Sequence, residues 1–470
     1  MNRLYQELKT YSESDYYGFH MPGHKRNQKF MEADLPYGID ITEIDGFDDL
    51  HHADGILKEA QQRAAEVYHA DESHFLINGS TSGLLSAVLG STRKNDTVLV
   101  ARNCHKSVYH AIYMNELNPV YLYPEFSEDL QLNMELSVDT VEKALEEHPE
   151  AKAVIIVSPT YDGVISDIKG IADVVHKKNI PLIVDEAHGA HLGFSSYFGE
   201  NGNQKGADIV IHSLHKMLPA LTQTAVLHMN GPYADREKVR MYLHMLQTSS
   251  PSYVLMASID ECIVLLKNHS EEIFKNYEEK LIRFRKKLES LKHLKLLTTE
   301  HFDPSKFVIS VKGTNMSSTK LYKTLLEEYH LQMEMLAGSY VIAMTSVADT
   351  EEGFERLARA LEEIDGQIEC LKEGQKERSC IPEAVQVLNS ADTYEACKRN
   401  PEKTESRKWK DAEGMISTEY AYLYPPGIPL IVPGEKITKE VILTLEQFKK
   451  DQFTIEGLSK EDRIEVLING

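Results

Sequence analysis

The amino-acid sequence predicts an α/β protein with a mostly parallel, seven-stranded sheet flanked by helices, and a smaller α+β C-terminal part. From about residue 60, segments with 3.6-residue periodicity alternate with short apolar runs rich in β-branched residues. The runs are almost continuously apolar, which is typical of strands buried on both faces of a parallel sheet. Polar residues follow several of these runs directly. Because open parallel sheets bind ligands at the carboxyl ends of their strands, this pattern also predicts a functional site there.

The predicted strands of the sheet follow one another through the first half of the chain. Helical segments separate most of them, as in βαβ units. The run AVLHMN (225–230) is expected to add an edge strand. The other runs are HFLIN (74–78), TVLVA (97–101), PVYLYP (119–124), AVIIVSP (153–159), IPLIVD (180–185) and ADIVIHS (207–213).

The rest of the chain divides into further segments. We expect a linker or an irregular excursion at 371–410, where charged and small polar residues dominate. Further strands are expected at 306–311 and 339–346, and helices at 260–295, 318–329, 351–365 and 439–451, while prolines exclude a helix at 421–435. The expected parts are an N-terminal arm with short helices (1–60), a major domain (61–295), a small α+β domain (296–370) and a C-terminal domain (371–470).

Composition narrows the classes of function. With 42% hydrophobic and 26% charged residues, the 470-residue chain is typical of a soluble globular protein of two or three domains. No apolar run is long enough to cross a bilayer, and the N-terminus has no apolar signal segment. Five cysteines without a CxxC pair indicate reduced thiols in the cytoplasm. The net charge of −22 argues against nucleic-acid binding and weakly favours a cationic substrate.

Three groups of polar residues stand where predicted strands end. Residues 78–83 (NGSTSG) open a helix, where N–H groups and hydroxyls would hold a phosphate, although Ser and Thr are also ordinary helix caps. Asp185 ends a buried strand, and a buried carboxylate needs a cationic ligand, a structural ion pair or a helix to cap. Lys216 follows the next strand between apolar neighbours. It is a candidate for Schiff-base chemistry or a surface lysine with a buried stem.

The histidines and the tetrad DEAH (185–188) admit other interpretations. Some nucleic-acid helicases use DEAH, but no lysine follows the glycine of the phosphate loop, as a Walker A motif requires. The pairs in HGAH (188–191) and HSLH (212–215) suggest zinc, but neither has the HExxH arrangement and no cysteine pair supports it. We therefore expect structural or ring-contacting histidines and no metal. His105 is expected to stack on a planar ring or to begin a helix.

Together these residues fit one cofactor, pyridoxal 5′-phosphate. The loop would bind its phosphate, Lys216 its aldehyde carbon and His105 the face of its ring. Asp185 would keep the pyridine nitrogen protonated, since a unit charge pair at about 4 Å is worth on the order of 4 kcal/mol at an effective dielectric of 20. The protonated ring is an electron sink for a carbanion formed at Cα.

The chain resembles the ornithine/lysine/arginine decarboxylase family of fold-type I pyridoxal-phosphate enzymes over nearly its whole length. Ser-x-His-Lys followed by Leu-Thr-Gln-Thr, and the terminal YPPGIPL, are highly specific motifs. Leu84 is a departure, since Asn often follows the phosphate-loop glycine, and the early His-Met-Pro-Gly-His segment implies the short form without an N-terminal wing domain. The resembling segments are FHMPGHK (19–25), DITEIDGFDDLHHADG (40–55), FLINGSTSG (75–83), ARNCHKSVYHA (101–111), PTYDGV (159–164), VDEAHGAH (184–191), HSLHKMLPALTQTAVLH (212–228), SSPSYVLMASID (249–260) and YPPGIPLIVPGE (424–435).

The resemblance implies a role for each candidate residue. Lys216 would bind the cofactor covalently and Asp185 would pair with its pyridine nitrogen. His105 would stack on one face of the ring and Ala187 on the other, and His188 would lie beside the ring's O3′ or the substrate. Lys216, His105 and Asp185 are the expected catalytic residues. The phosphate would be held by Ser80, Thr81, Ser82, Ser213 and His215.

The implied reaction is decarboxylation of a basic amino acid (arginine, lysine or ornithine) in polyamine or diamine synthesis. The alternatives are an aminotransferase or another pyridoxal-phosphate lyase on the same fold and, from a different class, an ATP-driven nucleic-acid motor. Lys216 and His105 are both candidates for the proton donor to Cα. Glu334 is expected to meet the distal cation of the substrate or to be an ordinary strand-edge acid. The fold type implies a homodimer or a larger oligomer of dimers, without nucleic-acid or membrane partners.

Overall fold

The computed structural model describes residues 3–27, 29, 32–371, 382–424, 428–450, 454–460 and 462–468. Within these ranges no helix is both long enough and apolar enough to span a membrane. The α-helices of the described residues are α1 (Leu4–Glu13), α2 (Ile56–Tyr68), α3 (Gly79–Ser91), α4 (Lys106–Met114), α5 (Val138–Glu147), α6 (Ile168–His176), α7 (Leu214–Met217), α8 (Arg236–Leu246), α9 (Tyr253–Leu288), α10 (Ser318–Glu327), α11 (Glu351–Asp365), α12 (Ser390–Arg399) and α13 (Lys439–Lys450).

The β-strands form one large sheet and several smaller ones. They are β1 (Glu72–Leu76), β2 (Thr97–Ala101), β3 (Asn118–Leu122), β4 (Phe126–Ser127), β5 (Leu132–Asn133), β6 (Val154–Val157), β7 (Leu182–Asp185), β8 (Ile209–His212), β9 (Ala225–Met229), β10 (Lys295–Leu297), β11 (Lys306–Ser310), β12 (Met335–Ala337), β13 (Tyr340–Met344), β14 (Val385–Gln386), β15 (Thr404–Lys408), β16 (Ile416–Ser417), β17 (Ala421–Tyr424), β18 (Ile428–Ile431), β19 (Glu435–Lys436), β20 (Thr454–Glu456) and β21 (Arg463–Leu467).

The largest sheet has the strand order β1-β9-β8-β7-β6-β2-β3. Strand β2 is parallel to β3 and β6, and β7 is parallel to β8, whereas β9 is antiparallel to both β1 and β8. The prediction of a seven-stranded, helix-flanked sheet is confirmed. The expected edge position of the run at 225–230 is wrong, because β9 lies between β1 and β8. All residues of β9 are buried, as an interior strand requires.

The apolar runs form the predicted strands because they bury side chains on both faces of the sheet. Each of the six other runs of the large sheet overlaps a strand, and TVLVA coincides with β2. Strands β7 and β8 are buried along their whole lengths. Of the predicted helices, α11 has the expected bounds, while α9 begins at Tyr253, before the expected 260.

The chain forms two compact units. The first comprises Met1–Ser91 and Ile168–Asn276, and the second comprises Thr92–Asp167 and Tyr277–Gly470. The boundaries expected from the sequence at 60, 295 and 370 stay a proposal.

In the first unit, α3 packs closely on the sheet and on α8 through glycines. A Cβ at Gly83 would lie 2.6 Å from Cδ1 of Leu76 in β1. A Cβ at Gly90 would lie 2.5 Å from Cγ2 and 2.7 Å from Cα of Val239 in α8. Side chains at these positions would push the helix away. Gly83 therefore fixes where the start of α3 lies against β1 and β8, and Gly90 fixes how closely the end of α3 approaches α8.

In the second unit, a buried ion pair joins two distant parts of the sequence. Arg102, directly after β2, donates to both carboxylate oxygens of Glu435 in β19, at 2.6 and 3.0 Å. Both side chains are almost completely buried. The guanidinium also lies 4.6 Å from the ring centre of Tyr121. This unit contains the antiparallel sheet β10-β11-β13-β12 and the sheet β14-β19-β16-β21-β15.

The interpretation of 371–410 as a linker or an irregular excursion is wrong for its described residues after 381. Helix α12 starts at the cap Asn389, whose side chain accepts a hydrogen bond from the N–H of Asp392. Strand β15 pairs with β21 at the edge of its sheet and is only half-buried. Edge strands and surface helices need few apolar residues, which explains the polar composition. In YPPGIPL, residues 425–427 lie outside the described residues, between β17 and β18.

Candidate active site

Asp185 is the last residue of β7 and is buried. Only 3% of its surface is exposed, and its Oδ1 accepts a hydrogen bond of 3.2 Å from the N–H of Ala187. Burial raises the pKa of the Asp185 carboxyl, while the charge of Lys216 and the N–H of Ala187 oppose that rise. A cationic partner at this carboxylate would therefore be strongly favoured.

Lys216 lies at the same edge of the sheet, one strand away. In the parallel pair β7–β8, Asp185 is opposite Ile211, and the chain then turns into the short helix α7. Leu214 and Met217 of α7 are fully buried and hold Lys216 half-buried between them. The Nζ of Lys216 lies 3.1 Å from Nε2 of His188. The apolar neighbours of the lysine thus anchor the turn that carries its amine.

The start of α3 meets the residue after β8, as a phosphate site requires. Gly79 begins the helix with φ +75°, a conformation that favours glycine. The hydroxyls of Ser80 and Ser213 are hydrogen-bonded to each other. Thr81 is exposed, whereas Ser82 is buried and its hydroxyl donates to the Gly79 carbonyl at 2.8 Å. The unpaired N–H groups of a helix start and these hydroxyls form an anion site.

His215 has its ring orientation fixed by the backbone. Its Nδ1 lies 2.8 Å from the carbonyl oxygen of Thr224, which can only accept, so Nδ1–H donates. Burial and then the charge of Lys216 lower the pKa of His215, while the Thr224 carbonyl opposes them. The neutral ring therefore offers an acceptor at Nε2. A hydrogen bond from Nε2 to phosphate requires the protonated ring.

His105, in the second unit, is the N-cap of α4. Its side chain accepts a hydrogen bond from the N–H of Ser107 through Nδ1 at 3.2 Å, so the interpretation as a helix-start residue is confirmed. Capping uses a lone pair in the plane of the imidazole. The faces of the His105 ring take no part in capping. Stacking of this ring on a cofactor stays a prediction.

Glu334, also in the second unit, is exposed directly before β12. Its N–H donates to the carbonyl of Ile342, and its carboxylate accepts a hydrogen bond from the hydroxyl of Tyr161. Tyr161 belongs to the PTYDGV segment, whose Asp162 accepts a hydrogen bond of 2.7 Å from the hydroxyl of Tyr340. Contact of Glu334 with a substrate stays a prediction.

The sequence interpretation gave no role to three buried polar residues beside this site, namely Glu186, His228 and Ser73. Glu186 follows Asp185 and accepts a hydrogen bond from His212, and His212 contacts His228. The hydroxyl of Ser73 is in turn hydrogen-bonded to the ring of His228. The available signal was a polar residue inside an apolar strand, such as His228 in AVLHM. The pattern of a single strand does not identify partners on other strands.

The residues of the first unit fit pyridoxal phosphate in this structure. A buried carboxyl with a raised pKa suits a protonated pyridine nitrogen, which would supply the missing cation. A lysine amine 3.1 Å from an imidazole suits covalent attachment to the aldehyde carbon. The paired hydroxyls of Ser80 and Ser213 at the start of α3 suit the phosphate.

Comparison with known proteins decides the family. Residues 2–333 match the model of the Orn/Lys/Arg decarboxylase major domain, and residues 374–461 match that of the Orn/Lys/Arg decarboxylase C-terminal domain. The chain belongs to this family. An arginine decarboxylase of Bacillus subtilis is 31% identical over 455 residues, covering 93% of this chain and 92% of that protein. The uncharacterized protein YaaO of the same organism is 33% identical over 490 residues, covering 99% and 98%.

The fold agrees with the family. The crystal structure of the Francisella novicida lysine decarboxylase superposes with a TM-score of 0.82 at 19% identity, covering 99% of this chain and 81% of that one. The chain is therefore a fold-type I, pyridoxal-phosphate-dependent amino-acid decarboxylase. Family membership overturns the interpretation of DEAH as part of a nucleic-acid motor. The roles of the individual site residues stay predictions.

Proposed function

We propose that this decarboxylase acts on a basic amino acid, with arginine as the first candidate, and supplies an amine for polyamine or diamine synthesis. The observation that carries the proposal is the position of the Lys216 amine, 3.1 Å from His188 and one strand from the buried Asp185. The full-length relative at 31% identity is named an arginine decarboxylase. The inducible lysine decarboxylase of Escherichia coli is 24% identical, covering 94% of this chain and 76% of that protein, which supports arginine before lysine.

The proposed roles of the residues follow from their contacts. When bound, pyridoxal phosphate supplies a ring that accepts the electron pair left at Cα as CO₂ departs. Asp185, as a carboxylate, keeps a proton on the ring nitrogen. Nε2 of His188 accepts a proton from the Lys216 ammonium, which makes the amine nucleophilic. The proton for Cα then comes from Lys216 or from His105.

Substrate charge is the second part of the proposal. The net charge of −22 gives the protein a field that attracts a cationic amino acid. We propose that Glu334, which already accepts a hydrogen bond from Tyr161, meets the distal cation of the substrate. A guanidinium offers two parallel N–H donors to a carboxylate, so an arginine side chain suits such a contact.

We also propose a cytoplasmic homodimer, or a larger oligomer of dimers. Support comes from the N-terminal arm, where Tyr16, Tyr17 and Phe19 are 71%, 72% and 90% exposed. Such a group of exposed aromatic side chains is typical of a protein interface. The segments HMPGHK (20–25) and SSPSY (249–253) would then reach the partner's site. A catalytically active monomer in analytical ultracentrifugation would contradict this proposal.

The product amine tests the function directly. The purified protein, loaded with pyridoxal phosphate, is incubated separately with arginine, lysine and ornithine without a keto acid, and the products are identified by mass spectrometry. The proposal expects an amine and CO₂ from at least one of the three, with arginine consumed fastest, and no product from Lys216→Ala. Transfer of the amino group only when a keto acid is added would support the aminotransferase instead.

A further inference from the structure

A chain of hydrogen bonds crosses four strands behind the candidate site. Oε2 of Glu186, which follows β7, lies 2.7 Å from Nε2 of His212 at the end of β8. Nδ1 of His212 lies 3.0 Å from Nε2 of His228 in β9, and Nδ1 of His228 lies 2.7 Å from Oγ of Ser73 in β1. Each contact joins two adjacent strands or the residue that directly follows one.

The direction of each hydrogen bond in this series follows from Glu186, because an ionised carboxylate can only accept. With Glu186 ionised, Oε2 accepts from His212 Nε2–H and from the N–H of Gly202 at 2.9 Å. Nδ1 of His212 then accepts from Nε2–H of His228. The neutral His228 ring in turn accepts at Nδ1 from the hydroxyl of Ser73. One tautomer of each imidazole satisfies all the contacts at once.

Burial makes this arrangement rigid. Glu186, His212 and His228 are fully buried, and Ser73 is 4% exposed. The ring of Tyr68 packs on both imidazoles, with centroid distances of 4.7 Å to His212 and 4.8 Å to His228. Burial, with smaller contributions from His212 and His74, holds the pKa of His228 far below its usual value, in keeping with a neutral ring. Both ring nitrogens of His212 and of His228 are hydrogen-bonded, which restricts the orientation of the two buried rings.

We propose that His212 is a positioning residue for the cofactor. This inference rests on the proposed role of the Lys216 site. Glu186 is the direct neighbour of Asp185, and His212 is the direct neighbour of Ser213. The Glu186–His212 contact therefore fixes the distance between the carboxylate for the ring nitrogen and the segment that carries the phosphate ligand and the lysine. His228 holds His212 from the opposite side.

A second histidine–carboxylate pair lies at the other end of β8 and provides a control. Oδ2 of Asp208, directly before β8, lies 2.8 Å from Nε2 of His176 and accepts the N–H of Leu182 at the start of β7. His176 is the last residue of α6, so His176→Asn removes a histidine–carboxylate pair at the start of β8, whereas His212→Asn removes one at its end. Only His212→Asn does so beside the candidate site.

The test measures cofactor binding without any amino acid, so its outcome does not depend on decarboxylation. For His212→Asn we expect dissociation of pyridoxal phosphate about tenfold faster, equivalent to about 1.4 kcal/mol. We also expect a displaced pH titration of the visible absorption of the lysine-bound cofactor. His176→Asn should change neither property. His212→Gln, whose amide N–H reaches the position of Nε2, should restore most of the wild-type behaviour.

Two results would overturn the inference. One is equal cofactor dissociation and absorption titration in the asparagine variants of His212 and His176. The other is ¹⁵N NMR of the cofactor-free wild type showing His212 without a proton on Nε2, a measurement that needs no variant to fold. If the expected shifts appear but no basic amino acid is decarboxylated, the proposed function fails while the positioning role of His212 stands.

Discussion

At the residue scale, the buried Asp185 carboxylate is expected to destabilise the cofactor-free protein and to hold the cofactor. Burial raises the pKa of the Asp185 carboxyl, and the charge of Lys216 and the N–H of Ala187 oppose that rise only in part. The folded-state pKa lies above the unfolded value, so ionisation destabilises the cofactor-free protein. This cost is absent below the unfolded value of 3.8, grows as the pH rises above it and is complete once the pH exceeds the folded-state pKa.

The variant Asp185→Asn separates these two effects. In the cofactor-free protein at pH 7 it should raise the free energy of unfolding, because the amide carries no charge whose burial is unfavourable. In the loaded protein it should abolish decarboxylation, since the ring nitrogen loses its partner. Urea unfolding and product assays measure the two effects. A cofactor-free variant less stable than the wild type would contradict this account of the site.

The sequence was sufficient to predict several contacts of individual residues. It placed Asp185 and Lys216 at one edge of the sheet, and it grouped Ser80 with Ser213, whose hydroxyls do meet. It did not predict that Ser82 would turn to the Gly79 carbonyl or that Nδ1 of His215 would bind Thr224. These choices depend on side-chain rotation and local backbone geometry, which a residue pattern does not contain.

At the element scale, the buried histidine of β9 makes stability depend on pH. The folded-state pKa of His228 lies well below 6.5, so the unfolded chain binds a proton there before the folded protein does. The stabilisation by the neutral ring is complete above pH 6.5 and is lost as the pH falls below it. One such histidine contributes a slope of about 1.4 kcal/mol per pH unit.

Unfolding of the cofactor-free protein between pH 7.5 and 5.5 tests this dependence. The wild type should lose stability below pH 6.5, and His228→Asn should have a slope smaller by about 1.4 kcal/mol per pH unit. Denaturant titrations at fixed pH values give both slopes. If the slope of the variant equals that of the wild type, His228 is not the group responsible.

The close packing of α3 on α8 gives a second prediction at this scale. Gly90→Ala places a Cβ 2.7 Å from the backbone Cα of Val239, so a helix must move. We expect a loss of about 1–3 kcal/mol, despite the better helix propensity of alanine. In the control Gly353→Ala, the new Cβ would lie 3.7 Å from Oγ1 of Thr350, an ordinary contact, and stability should be unchanged or higher. Equal melting temperatures of the two variants would contradict the packing argument.

Most elements were predictable from periodicity, but their pairing was not. TVLVA forms β2 and residues 351–365 form α11, because the apolar residues of each local pattern are the ones that are buried. The run at 225–230 was expected at an edge, but β1 pairs with its outer side. Residues 404–408 look like a linker because β15 is a half-buried edge strand. Strand order and edge positions depend on contacts between distant segments, which periodicity does not report.

At the scale of the whole molecule, a buried ion pair joins the parts that match the two family models. Arg102 lies in the segment matching the major domain and Glu435 in the segment matching the C-terminal domain. Glu435 also accepts the N–H of Val432 at 2.8 Å. Removing one charge leaves the other buried without its partner, which is more costly than the pair itself is favourable.

The variant Glu435→Gln should therefore lower the free energy of unfolding by about 3–5 kcal/mol. The control is Glu456→Gln, which removes a partly exposed pair with Lys106, 3.5 Å apart, that joins the same two segments. That variant should cost less than about 1 kcal/mol, because water screens the pair. Chemical denaturation of both variants measures the difference, and equal costs would show that burial of the Arg102 pair is unimportant.

The central claim is that Lys216 carries the cofactor, and borohydride reduction followed by peptide mapping tests it most directly. The rival is Lys306, which is fully buried with its Nζ 3.9 Å from Oδ2 of Asp303. Reduction of the loaded protein fixes the cofactor on the lysine that holds it, and mass spectrometry of the peptides identifies that residue. The account predicts the cofactor on Lys216 alone. Cofactor on Lys306, on another lysine or on none would contradict it.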